Sequence, residues 1–231
     1  MVIERSKENQ GIFGKVKMII DCISDLHGYY PELEGGDLLI VAGDLTARDD
    51  ENEHEIEFAQ WFLTQRYKYK IFIAGNHDNH LQNHYIPMNQ SLISYLCDSG
   101  TKFEGLKIWG SPWSCTFPGI NPHCTAFTGT EDILANKFAL IPEDTDILIT
   151  HTPPHGILDE SFYKQRCGSI ELRNIVLSKE RMPKLKLHVF GHIHENGGKE
   201  FKMYPSGLHF VNASIVNLQY QHVNKPVRIV L

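Results

Sequence analysis

The side chains best suited to chemistry in this sequence stand in five short polar motifs, each directly after an apolar run. In chain order the motifs are Asp25-x-His27, Gly43-Asp44, Gly75-Asn76-His77-Asp78, His151 and Gly191-His192-x-His194. Open α/β sheets bind their ligands outside the carboxyl ends of the strands. Carboxylate, amide and imidazole groups gathered there would offer the mixed oxygen and nitrogen ligation that suits divalent transition metals. The pattern therefore indicates a metal site at the edge of a sheet.

Each of these motifs, taken alone, has an ordinary explanation. Asp25 could cap a turn with His27 solvated beside it, and Asp44 could be a turn residue. His77 could support its own turn and nothing more. The concentration of the residues favours a site instead, because five of the 13 histidines fall in the strand-end motifs.

The apolar runs before the motifs predict buried strands, and the segments between them include predicted helices. Strands are expected over 18–23, 38–42, 69–74, 146–150 and 186–190, and helices over 53–65, 130–140 and 168–178. The order of these elements predicts neighbouring parallel strands joined by right-handed crossovers. Alternation between 95 and 109 predicts a β-meander, and the tail segments 208–212 and 226–230 predict antiparallel strands.

The segment 113–129 is rich in Pro, Gly, Cys and Thr and lacks periodicity. Loops of this length are often functional, so we expect it to wall a substrate pocket. Trp113 is a candidate platform for a base, although an ordinary core tryptophan is at least as good an explanation. His155, in a turn that follows His151, is a second candidate for substrate binding.

Length and composition favour a single domain over 1–231, in which residues 1–16 form a loose arm or a short edge strand. The formal net charge of -6 argues against broad binding to nucleic acid.

Five cysteines without a Cys-x-x-Cys argue against a disulfide framework and favour a reducing compartment. No apolar run approaches the ~18–20 residues of a membrane helix, and the N-terminus lacks the apolar region of a signal peptide. We expect a cytoplasmic protein with no membrane contact.

The five motifs, in this order, resemble those of the calcineurin-like metallophosphoesterases, and they extend from Asp25 to His194. A closer likeness is to the small metallophosphoesterase-domain-containing branch, which includes class III-like cyclic nucleotide phosphodiesterases. The segments that carry it are Gly110-Ser111-Pro112-Trp113, 141–148, 183–191 and Asn212-Ala213-Ser214. The resemblance implies an α/β fold, a four-layer αββα sandwich of two mixed β-sheets flanked by helices.

The resemblance also implies a centre of two divalent transition metals, of which Mn, Fe, Zn and Ni suit the donor set. By this likeness the first metal is held by Asp25, His27, Asp44 and His194, and the second by Asp44, Asn76, His151 and His192. A metal-bridging hydroxide would attack the phosphorus. His77 would be catalytic, donating a proton to the leaving group or stabilising its charge, and Asp78 would orient its imidazole.

The expected activity is that of a metal-dependent phosphodiesterase on small diesters such as cyclic nucleotides, with a small phosphodiester or nucleotide as its partner. The alternatives are a phosphomonoesterase or protein phosphatase, and then a nuclease, which the acidic balance disfavours. A catalytically inactive scaffold would lack some of the ligands, and none of the family's ligand positions is missing here.

Overall fold

The structure, a computed structural model, describes residues 17–46, 52–83, 91–117 and 122–231. The predicted arm at 1–16 and the centre of the 113–129 segment lie outside these ranges. The elements in chain order are β1 (Ile19–Ile23), β2 (Gly36–Ala42), α1 (Asn52–Thr64), β3 (Tyr67–Ile73), α2 (Asn79–Asn83), β4 (Ile93–Tyr95), β5 (Ser99–Phe103), β6 (Leu106–Ser111), β7 (Ser114–Cys115), β8 (Thr128–Gly129), α3 (Glu131–Phe138), β9 (Ile147–Thr150), α4 (Ile170–Leu177), β10 (Leu187–Phe190), a 3₁₀ turn (His194–Asn196), β11 (Lys199–Lys202), β12 (His209–Asn212) and β13 (Val227–Val230). In these ranges no helix has the length and apolar character needed to cross a membrane.

The strands form two mixed sheets and one small pair. The first sheet has the order β13-β1-β2-β3-β4, with β1 to β4 parallel and β13 antiparallel to β1. The second has the order β11-β12-β10-β9-β6-β5, with a parallel centre and an antiparallel strand at each edge. The short strands β7 and β8 pair with each other.

Alternating burial along the strands builds the layers, because successive side chains of a strand point to opposite faces. One hydrophobic cluster fills the space between the sheets and includes Ile20, Leu38, Ile40, Ile71, Ile147, Ile149, Leu187 and Val189. On the outer face of the first sheet, Leu39, Val41 and Phe72 pack with Phe58 and Phe62 of α1. On the outer face of the second, Leu148 and Phe190 pack with residues of α3 and α4. The predicted four-layer αββα sandwich is confirmed.

Side chains fix the ends of the helices that cover the sheets. Lys70 on β3 is buried, and its Nζ donates to the carbonyls of Phe62, Leu63 and Gln65 at 2.9, 2.9 and 3.3 Å, which caps the end of α1. At the start of α4, Ser169 Oγ accepts from Leu172 N at 3.2 Å. The carboxylate of Glu131, on α3, accepts from the backbone amides of residues 170 and 171, so α3 also caps α4.

The predicted meander over 95–109 is correct for its second and third strands, which form the β5–β6 hairpin, and wrong for its first. Strand β4 joins the first sheet, parallel to β3, whereas the β5–β6 hairpin belongs to the second sheet. The chain changes sheets between β4 and β5. Gly110 of β6 lies so close to Leu96 of this crossover and to Ile73 of β3 that a Cβ would be 2.5 and 2.7 Å from their atoms. Apolar alternation marks the buried face of a strand but not the sheet to which it belongs.

The predicted tail strands exist, but their pairing is only partly antiparallel. Strand β12 is antiparallel to β11 and parallel to β10, and β13 is antiparallel to β1 in the other sheet. The sequence patterns missed β11, because all four of its residues are exposed and it lies at the sheet edge.

Candidate metal centre

The carboxyl ends of strands from both sheets meet at one edge of the sandwich. Strands β1, β2 and β3 of the first sheet and β9 and β10 of the second each end at one of the five motifs. One ligand atom from each of four side chains lies within 4.8 Å of the others; these side chains are Asp25, His27, Asp44 and His194. They are the four residues predicted to hold the first metal. The loops therefore form a possible metal-binding cluster of carboxylate and imidazole groups.

Asp25 joins the two sheets at this edge. Its carboxylate accepts from His192 N, with Oδ1 and Oδ2 at 3.0 and 3.1 Å, and Oδ1 lies 3.2 Å from His194 Nε2. Gly191 permits this approach, because a Cβ there would overlap Asp25 Oδ2 and Ser24 Oγ. Burial alone would raise the pKa of Asp25, but the hydrogen bond and charge of His194 hold it at about 2. The group is therefore an anion ready to ligate a cation.

Asp44 lies at the centre of the cluster. Its Oδ1 accepts from His77 N at 2.9 Å, and its Oδ2 lies 3.3 Å from His151 Nε2 and 3.7 Å from His27 Nε2. Burial opposes its ionisation, but the charges of His151 and His77 outweigh that effect and hold the pKa of Asp44 well below its ordinary value. One carboxylate thus faces groups from both predicted ligand sets.

One ring nitrogen of His151 is hydrogen-bonded to the backbone of the other sheet, and the other nitrogen faces the cluster. Its Nδ1 donates to the Ala42 carbonyl at 2.9 Å, across the two sheets, and Nε2 lies 2.9 Å from Asn76 Oδ1. Burial alone would lower the pKa of His151, yet the Asp44 carboxylate raises it to about 9. His151, Asn76 and Asp44 thus bring an imidazole, an amide oxygen and a carboxylate together, a donor set that would suit a divalent cation.

His192 gives a direct test of whether these residues fit a metal. Its Nε2 is buried and has no hydrogen-bond partner among the residues that the structure describes, and its ring stacks on Phe117 with centroids 5.8 Å apart. Burial and the nearby His151 lower the pKa of His192 to about 3, so its imidazole stays neutral. Buried polar atoms almost always have partners. A neutral nitrogen of this kind is suited to ligate a metal, and the donor set fits one.

His77 lies beside the cluster. Its ring is edge-on to His27 with centroids 4.6 Å apart, and its Nδ1 is 3.4 Å from Cys124 Sγ. Burial, with smaller contributions from nearby groups, lowers the pKa of His27 to about 4. These placements keep His77 adjacent to the site without making it a member of the four-residue cluster.

The contacts of Asp78 differ from the predicted support of the His77 imidazole. Its carboxylate accepts from Gly75 N at 2.7 Å, from Leu45 N at 3.0 Å and from Thr46 Oγ1 at 3.3 Å. Burial and the charge of Asp44 raise the pKa of Asp78 to about 7. Asp78 therefore fastens the loop after β3 to the loop after β2, and through them it positions Asn76 and Asp44.

A cavity of about 350 Å³ adjoins the His192 side of the cluster. The residues along it include Asn76, Cys115, Phe117, Cys124, Ser161, Cys167, His192 and Glu195, and no Lys or Arg belongs to the part of its wall that the structure describes. The predicted role of the 113–129 segment in walling a pocket agrees with this placement. Motif reasoning missed Phe117 and Cys124, because an irregular loop offers no periodicity from which side-chain direction can be read.

Trp113 and His155 were predicted to bind substrate, but neither is among the described residues that line this cavity. Trp113 packs edge-on to Phe127, donates from Nε1 to Asp98 Oδ2 at 2.9 Å and has Lys137 Nζ 4.3 Å above its ring. His155 Nδ1 donates to the carbonyl of Gly168, thirteen residues further along the chain, at 3.3 Å. The polar and apolar parts of Trp113 are thus both in contact with other residues of the fold.

Known proteins share both the sequence pattern and the fold. The model of the calcineurin-like phosphoesterase family matches residues 18–196. Human metallophosphoesterase domain-containing protein 1 is 37% identical over 234 residues, which cover 89% of this chain and 68% of that protein. A 3′,5′-cyclic-nucleotide phosphodiesterase of Nostoc sp. is 24% identical, covering 96% of this chain and 76% of that protein. The crystal structure of TT1561 of Thermus thermophilus has the same fold at 14% identity, with a TM-score of 0.57 over 85% of this chain and 89% of that one. This chain is thus a metal-dependent phosphoesterase of the calcineurin-like phosphoesterase family.

Proposed function

We propose that the protein is a dinuclear phosphodiesterase acting on small phosphodiesters such as cyclic nucleotides. The observation that carries the proposal is the convergence of seven predicted ligand residues on one edge, where Asp44 faces both sets, Asn76 contacts His151, and His192 contacts His151 and Asp25. Asp25, His27, Asp44 and His194 would hold the first metal, and Asp44, Asn76, His151 and His192 the second. Mn, Fe, Zn and Ni suit these nitrogen and oxygen donors. When bound, two such ions neutralise phosphoryl oxygens and acidify water.

The remaining residues orient the ligands and supply a proton. The Ala42 carbonyl fixes the ring of His151, and the His192 amide fixes the carboxylate of Asp25. His77 lies edge-on to His27, beside the predicted ligands, and would donate a proton to the departing oxygen. Asp78 supports this arrangement through the backbone of the two loops.

The cavity beside His192 favours a diester over the alternatives. A diester carries one negative charge and two ester groups, so its second group needs room next to the reacting phosphate. The cavity offers about 350 Å³ of space, and Phe117 forms part of its wall. A nucleic acid strand would bring further phosphates, which proteins meet with Lys and Arg, and the described part of the wall has neither. The relative named as a 3′,5′-cyclic-nucleotide phosphodiesterase supports the same choice.

Metal analysis and a substrate panel test the proposal together. Mn-loaded protein should hold two metals per chain and hydrolyse a generic phosphodiester, or a 2′,3′- or 3′,5′-cyclic nucleotide, faster than a phosphomonoester. His194→Ala should weaken one metal, whereas His209→Ala, which removes a histidine that pairs with Glu200 outside the site, should change neither property. Turnover of monoesters alone would overturn the diesterase assignment. A single well-occupied metal in saturated protein would overturn the dinuclear centre.

A further inference from the structure

Tyr220 is an aromatic residue at the metal cluster that no motif predicted, and it lies beyond the 18–196 range of the family match. The segment that carries it runs beside the β1 end of the site, where Ile215 N donates to the Ser24 carbonyl at 3.0 Å, one residue before Asp25. The same segment forms an antiparallel bridge between Val216 and His222. Tyr220 stands at the tip of the resulting short loop.

The loop is held in one shape by Asn217. Its side-chain Oδ1 accepts from the amides of Gln219 and Gln221, both at 3.0 Å, and its carbonyl accepts from Tyr220 N at 2.9 Å. Tyr220 itself has φ = 56°, in the left-handed region that residues other than Gly seldom adopt. Such a conformation costs free energy and persists where surrounding contacts impose it. The loop therefore sets the direction of the Tyr220 side chain.

The ring of Tyr220 meets three imidazoles of the site at steep angles. Its centroid lies 4.7 Å from that of His27, 5.2 Å from that of His194 and 6.0 Å from that of His77, with interplanar angles of 80°, 86° and 63°. The residue is nevertheless 37% exposed. It is thus part of the surface that an incoming molecule meets, on the side of the cluster where His77 lies.

We propose that Tyr220 is a specificity-determining residue, whose ring contacts the ester group that leaves. The proposal rests on the proposed phosphodiesterase function. Water adds its oxygen to phosphorus and gives up a proton to the solvent, and the bond from phosphorus to the leaving oxygen breaks with its electron pair on that oxygen. His77 protonates the departing alkoxide to an alcohol and regains a proton from the solvent. A proton donor must be within hydrogen-bond reach of the leaving oxygen. The first atoms of the leaving group therefore lie beside His77, and an aromatic group there meets the neighbouring ring of Tyr220.

Benzyl methyl phosphate tests this contact within one molecule. The two alkoxides leave with similar ease, so the ratio of benzyl alcohol to methanol reports which ester group occupies the side of His77. An aromatic pair is worth a preference of roughly 2- to 10-fold. The wild-type protein and Tyr220→Phe should release more benzyl alcohol per methanol than Tyr220→Ala does, by roughly 2- to 10-fold, because the cavity beside Phe117 is the same in all three proteins. Tyr204→Ala, which removes a 93% exposed tyrosine, is the matched control and should leave the ratio unchanged.

Two further measurements separate the possible failures. If Tyr220→Ala loses metal, its role is to position His27 and His194, and the specificity proposal is wrong; an unchanged alcohol ratio also overturns it. If the wild-type protein releases neither alcohol, the phosphodiesterase function fails. Tyr220 is then judged by the binding of benzylphosphonate and methylphosphonate to Mn-loaded protein, measured by calorimetry. Tyr220→Ala should reduce the advantage of the benzyl compound, and an equal advantage in both proteins would overturn the proposal.

Discussion

Acidification should destabilise this protein through His188, a fully buried residue of β10 that lies among the aromatic rings of Phe190 and Phe210. Thr150 Oγ1 donates to the Thr152 carbonyl at 2.7 Å, so it accepts from His188 Nε2 at 2.8 Å. The neutral ring therefore carries its proton on Nε2. Within the described ranges its buried Nδ1 has no hydrogen-bond partner, so no acceptor there meets a second proton.

The magnitude follows from the difference in proton affinity between the folded and unfolded chains. Burial lowers the pKa of His188 from 6.5 to about 3 in the folded protein. Between these values the unfolded chain binds the extra proton and the folded chain does not, so stability is lost as pH falls below 6.5. Each pH unit contributes about 1.4 kcal/mol, so the loss from this residue reaches about 2 kcal/mol near pH 5.

Urea unfolding of the wild-type protein and His188→Gln, from about pH 8 down to about pH 5, measures the effect. Glutamine can still donate to Thr150 but does not titrate, so its free energy of unfolding should fall less steeply with acid. Other buried histidines titrate in both proteins, and the difference between the two curves isolates His188. His222→Gln, a change at an exposed ring, is the matched control. Parallel curves for wild type and His188→Gln would refute the reasoning.

Three further perturbations test the site and its support. His77→Ala should keep both metals, and its rate should fall by ~10²–10⁴ with an alkyl leaving group. The rate should fall less with p-nitrophenolate, which needs little protonation. Equal losses with both leaving groups would show that His77 does not protonate the leaving group. Asp44→Asn should lower the content of both metals in elemental analysis, whereas His194→Ala should lower the content of one. If Asp44→Asn retained two tightly bound metals and full turnover, its proposed bridging role would be contradicted. Glu131→Gln should lower the free energy of unfolding by ~1 kcal/mol, the usual contribution of a helix cap. Asp132→Asn, on the same helical turn, is the control. Equal urea midpoints for Glu131→Gln and wild type would show that the contacts of Glu131 with α4 contribute nothing to stability.

The strand-end motifs could be predicted because chemistry restricts both their residue types and their positions. Asp25, Asp44 and His194 follow apolar runs that become buried parallel strands, and the cluster forms where those strands end. The sheet membership of β4 could not be predicted, since it is set by parallel pairing with β3, a long-range contact that no local pattern specifies.

The roles of single aromatic residues were harder to predict than the metal ligands, because these roles depend on contacts with residues outside their own segment. Trp113 looked suited to a base, but its ring is fixed by Asp98 and Lys137, which belong to other parts of the chain. Tyr220 stands in a polar tail segment with no apolar periodicity, and the hydrogen bonds of Asn217 shape the loop that brings it to the cluster. Sequence patterns describe faces of helices and strands, whereas these positions are set by loops.

The hydrogen bonds of Asp25 and His151 each cross from one sheet to the other, which ties the site to the cohesion of the whole sandwich. Ligands that bind only the folded state stabilise it in proportion to the logarithm of their concentration, by about 4 kcal/mol at a thousand times the dissociation constant. Metal held by residues from both sheets would therefore stabilise the packing of one sheet against the other. Chelation should then speed amide hydrogen exchange first at the ends of β9 and β10, while the amides deeper in both sheets remain protected.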